Sequence, residues 1–141
     1  MDESRHQPWV RAALLVGVVY FLIGRVFAVP PTHVRAWRLA AWLVCGAVYA
    51  AHIGYEHFRL HHSPRLLALH AALAVAIGAV LLAVAGMIHS VRATSVIRPA
   101  WLLALVIWPA VTAVPAFLVA LVAATVLAHL RRSPDEGKDE G

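Results

Sequence analysis

A single carboxylate stands inside an otherwise apolar body. Of seven acidic residues, six fall within the first three or the last seven positions, and the seventh is Glu56. It lies in the stretch Tyr49-Ala-Ala-His52-Ile-Gly-Tyr55-Glu56-His57-Phe-Arg59. Helical spacing puts Tyr49, His52, Glu56 and Arg59 on one face, at offsets of three, four and three. Imidazole exchanges protons near neutrality and a carboxylate supplies a counter-charge or a cation ligand, so this face suits a site for a proton, a small ion or a small solute. His70 sits about as far into the next apolar run and is placed to meet His52 across a hairpin. The competing arrangement is an ion pair of Glu56 with Arg59 or Arg65.

Other chemistries fit less well. His57 and His61, at i and i+4 with Glu56 adjacent, are the weak candidates for a metal, but their order is not the His-Glu-x-x-His of metalloproteases. The one cysteine, Cys45, belongs to no ligand cluster. A b-type haem between His52 and His70 needs more room than adjacent helices about 8–10 Å apart leave. No metal and no other cofactor is therefore expected. There is no Gly-x-Ser-x-Gly, P-loop or dinucleotide fingerprint, so no enzymatic activity is read from the chain. Arg25, the one charge well inside the first apolar run, and His89, at the far end of the third, form a possible second site.

The elements that must position these groups follow from composition. Hydrophobic residues make up 62% of the 141 and charged residues 13%. A soluble domain of this size cannot hide so much apolar surface, so lipid is part of the solvent. The net charge of +5 comes from arginines set singly at the ends of apolar runs, where membrane proteins anchor at headgroups. No basic stripe or recognition motif accompanies them, which excludes nucleic acid as a partner.

The chain reads as one all-α integral membrane domain, 1–130, a four-helix up-down transmembrane bundle. Its spans are about 9–29, 37–58, 66–90 and 100–130, followed by a charged, disordered tail at 131–141. About 20 residues cross the hydrocarbon, and in lipid the backbone must satisfy its own hydrogen bonds, so each span is a helix. Trp9, Trp37 and Trp101 mark span starts, and short connections make successive spans antiparallel neighbours. Val26-Phe27-Ala28 loosely resembles a signal cleavage site, but the run outlasts an ordinary signal core and is read as a retained span. Pro109 and Pro115 are expected to kink the overlong fourth span.

Rows of small residues allow close helix approach in lipid. They are Gly46, Ala50 and Gly54 in span two, Ala74, Gly78 and Gly86 in span three, and Ala116, Ala120, Ala124 and Ala128 in span four. They are expected to pack the bundle, with one row available for self-association. The functional expectation is a homo-oligomeric carrier or channel in the inner (cytoplasmic) membrane, and the alternative is a non-catalytic subunit of a larger membrane complex.

Counts of Arg and Lys place both termini in the cytoplasm. Seven flank the terminal side, at 5, 11, 59, 65, 131, 132 and 138, against five at 25, 35, 38, 92 and 98. A reporter that works only in the cytoplasm is therefore active when fused after Gly141 and silent when inserted between Val91 and Arg98.

Overall fold

The computed structural model describes residues 7–28, 33–95 and 99–130. They form four helices, α1 (Gln7–Phe27), α2 (Val34–Tyr55), α3 (Pro64–Thr94) and α4 (Pro99–Leu130), and a π-helical turn over Glu56–Leu60 continues α2. All four are long and apolar enough to cross a membrane. The tail at 131–141, the Pro30-Pro31 boundary of span one and Arg5 and Arg98 lie outside the described residues.

Helix ends follow local chemistry. Pro64 stands at the start of α3, where its missing N–H breaks no helical bond, and Ser95 ends that helix in a left-handed conformation. His61 adopts the same conformation, at φ 52°, and closes the π turn. α2 starts at Val34 rather than Trp37, because hydropathy marks the hydrocarbon boundary while the helix continues through Arg35 and Arg38 into the headgroup level. α4 runs without interruption through Pro109 and Pro115.

The packing centre is α3. One of its faces takes α4 antiparallel: Leu67, Ala68 and Ala71 are fully buried with Ala120 and Ala124, and Trp101 covers Gly86. The other face takes α1, which runs parallel to α3. A Cβ built on Gly17 would stand 2.6 Å from Ile77 Cγ2, and one on Gly78 would stand 2.8 Å from Tyr20 Cβ. Without a hydrophobic drive between helices in lipid, such close backbone approach is what holds them together. α3 carries small residues on two sides and so accepts two close neighbours.

Two expectations are corrected here. Successive spans are not all close neighbours: α1 packs chiefly on α3, while α2 lies at the periphery, mainly against α1. The small-residue row of α2 does not pack the bundle, because a Cβ on Gly46 or Gly54 would meet nothing within 4 Å. Trp42 and Leu43 beside it are 79% and 75% exposed.

Gly78→Val inserts branched carbon against the Tyr20 stem and the Gly17 carbonyl. We expect it to destabilise the detergent-solubilised chain by about 1–3 kcal/mol, whereas Gly46→Ala is neutral or slightly stabilising. Thermal unfolding followed by circular dichroism measures both.

Candidate functional site

The site forms where α2 ends, α3 begins and α1 starts. Glu56 closes the last turn of α2 and opens the π turn, its backbone N–H reaching back to the carbonyls of His52 and Ile53. The wider turn changes which side chains face inward. Glu56 and His57 are buried, whereas Arg59 is exposed. Arg59 thus leaves the face that α-helical spacing assigned to it, because that spacing does not hold from Glu56 onward. π turns of this kind recur at functional sites.

Glu56 is fully buried, yet its partners are imidazoles. His62 Nδ1 lies 2.5 Å and His70 Nδ1 3.2 Å from the same carboxylate oxygen, Oε2. Arg59 and Arg65 both remain exposed. His62 reaches Glu56 because the left-handed His61 reverses the chain, and His70 reaches it from the second turn of α3. The His62 and His70 rings are nearly perpendicular, 80° apart with centroids at 5.1 Å. On the other side of His70 the Trp9 indole stacks face to face, with centroids 4.3 Å apart and planes within 6°. Trp9 therefore fixes the plane of an imidazole that is itself fixed on the carboxylate.

The remaining residues singled out from sequence are distributed as follows. His52 is buried one turn before Glu56, and its Nε2 has no hydrogen-bond partner. Tyr49, half-buried on the same helix, donates its hydroxyl to the Ala116 carbonyl and so ties α2 to α4 rather than joining Glu56. His57 is buried but His61 is exposed, so the i,i+4 pair considered for a metal does not converge. The group that does converge is Glu56, His62 and His70, whose ligand atoms all lie within 4.8 Å of one another. His129 ends α4 in an exposed position. Sequence spacing missed His62 and Trp9. His62 lies beyond a left-handed residue, across which no helical period carries, and Trp9 carries the same signal as any indole at a membrane boundary.

At the opposite end of the bundle, Arg25 and His89 do come together. With Phe21, Ala85, Ile88 and Arg92 they line an open hollow of about 250 Å³ between α1 and α3. Both side chains are exposed, and no acidic residue lines the hollow.

No protein-family model, curated protein or solved structure matches this chain. Function is therefore argued from the geometry alone.

His70→Ala removes one of the two donors to a buried carboxylate and leaves the Trp9 face uncovered. It should cost about 1–3 kcal/mol of stability, against less than about 0.5 kcal/mol for the exposed, helical His89→Ala. Parallel melting curves of the two variants in one detergent measure the difference.

Proposed function

We propose that this protein is a carrier or channel for a small cation or proton, with Glu56 as its binding group. It would work as a homo-oligomer in the inner (cytoplasmic) membrane, with both termini in the cytoplasm. The observation that carries this reading is a series of buried polar atoms without a hydrogen-bond partner. They are Glu56 Oε1, His52 Nε2 one turn deeper on α2, and Tyr20 Oη on α1. Tyr20 stands eleven residues beyond Trp9, which is level with His70, so the series reaches about 16 Å into the bundle at 1.5 Å per residue.

Each such atom is costly in a dry interior, and water or an ion would satisfy it. Polar groups at membrane depth characteristically line ion pathways and proton relays. The sole carboxylate of the spans supplies the negative charge, and among the described residues its partners are the two imidazoles at 2.5 Å and 3.2 Å and no arginine.

A second reading, a subunit or packing partner of a larger membrane complex, is favoured by the open Gly46/Gly54 face of α2 with Trp42 and Leu43 exposed beside it. The same face serves self-association in the carrier reading.

Reconstitution in proteoliposomes separates the two. For the carrier, Glu56→Gln lowers cation or proton flux at least about 10-fold, as loss of a charge-assisted contact of about 1.5–3 kcal/mol requires. Unchanged flux in Glu56→Gln at every pH removes the carrier reading and leaves the packing partner. Gly46→Leu should shift the detergent-solubilised protein towards monomer without lowering its melting temperature.

A further inference from the structure

We propose that the cation held at this site is a divalent first-row transition metal, bound by Glu56 Oε2, His62 Nδ1 and His70 Nδ1. The assignment deepens the cation reading above, and it rests on that reading only for the idea that the metal is carried. The three donor atoms come from three elements, the end of α2, the connection and α3, and already lie within 4.8 Å of one another. Ligands about 2.0–2.2 Å from a zinc-like ion in tetrahedral array stand about 3.4 Å apart, so admitting one opens the 3.2 Å contact by about 0.2 Å and the 2.5 Å contact by about 0.9 Å, with the two imidazole nitrogens already within 4.8 Å of each other. The two imidazole rings stand nearly perpendicular, 80° apart, so they do not collide when both Nδ1 atoms turn to one ion. Glu56 Oε1, the other carboxylate oxygen, is also buried and has no partner among the described residues. Trp9 holds the His70 ring in place for ligation.

The donor types choose the class of metal. One carboxylate is too few oxygens for calcium, and two imidazoles are poor ligands for magnesium, which prefer six or more oxygens or a shell of water. A copper(I) site calls for thiolate or thioether. Cys45 lies eleven residues up α2 from Glu56, about 16 Å away along the axis. Two nitrogens and one oxygen suit zinc, iron(II), cobalt or nickel. Three protein ligands also leave a coordination position open, which is the signature of a site that exchanges its ligands rather than of a closed structural one.

The test uses the full chain in detergent, stripped of metal and titrated with Co²⁺ as a spectroscopic probe and with Zn²⁺ for elemental analysis. We expect one ion per chain and cobalt d–d bands of a low-coordinate nitrogen/oxygen site. Glu56→Gln, His62→Ala and His70→Ala should each weaken binding about 100-fold or more, since even residues that merely support a ligand change affinity 10–100-fold. His89→Ala, exposed and at the opposite end of the bundle, should leave it unchanged. His62 is partly exposed, so His62→Ala tests the site with the least risk to the fold, and circular dichroism verifies helicity in every variant.

Stoichiometric binding lost in these three variants supports the assignment, with or without flux. Binding without flux of that metal in proteoliposomes overturns the carrier reading while the metal site stands. Glu56-dependent proton flux from a chain that binds no metal overturns the metal site while the carrier reading stands. Metal binding that survives in all three variants also overturns it.

Discussion

The approach of α1 to α3 at Gly17 and Gly78 sets the geometry on which everything else depends. In lipid there is little hydrophobic gain in bringing two helices together, so contact between backbones decides where they cross and in what register. Here the crossing leaves no room for a single extra carbon on either glycine. Because the helices run parallel, fixing Gly17 against Gly78 also fixes Trp9 against His70 at the end of the bundle. The indole then holds the imidazole, and the imidazole reaches the carboxylate. A contact between two residues without side chains thus aligns a polar cluster more than two helical turns away.

The cluster itself answers the cost of burying a carboxylate. A carboxylate out of water needs donors, and the ordinary solution is an arginine or a set of backbone N–H groups. This chain uses two imidazoles on one oxygen instead and leaves the other oxygen bare. Arginine cannot give up its proton, so a Glu–Arg pair is a fixed structural unit. Imidazole can give up a proton or turn its lone pair to an ion, so the same position becomes reversible. The π turn makes this possible by turning Arg59 out and letting the chain fold back through His61 to present His62.

Much of the architecture is legible in the residues. The uncharged runs, the tryptophans at the starts of three of them and the short connections identify four apolar helices, because hydrocarbon leaves the backbone no alternative. Glu56, His52 and His70 are legible as one polar group for the same reason, but the spacing pairs His70 with His52, whereas its ring lies on Glu56. What the sequence conceals is geometry that breaks a period. Arg59 is assigned inward by a spacing that the π turn interrupts, and His62 is read as loop because a left-handed residue precedes it. The α2 glycines look identical to those of α3, and only the three-dimensional arrangement shows that one set is enclosed and the other open.

The peripheral position of α2 has a mechanical consequence. α1, α3 and α4 form a block joined by glycine and alanine contacts, and α2 is attached to it lightly, with the Tyr49 hydroxyl on the Ala116 carbonyl as one tether. The Glu56 end is the exception, since His52, Ile53 and Glu56 are all buried there, whereas Trp42 and Leu43 on the outer part of the helix face out. The two ends of α2 are therefore held unequally: its Glu56 end is pinned by the core and by the short connection to α3, and its Trp42 end is not. An element pinned at one end and open at the other can take up a neighbour on its free flank while the carboxylate keeps its place.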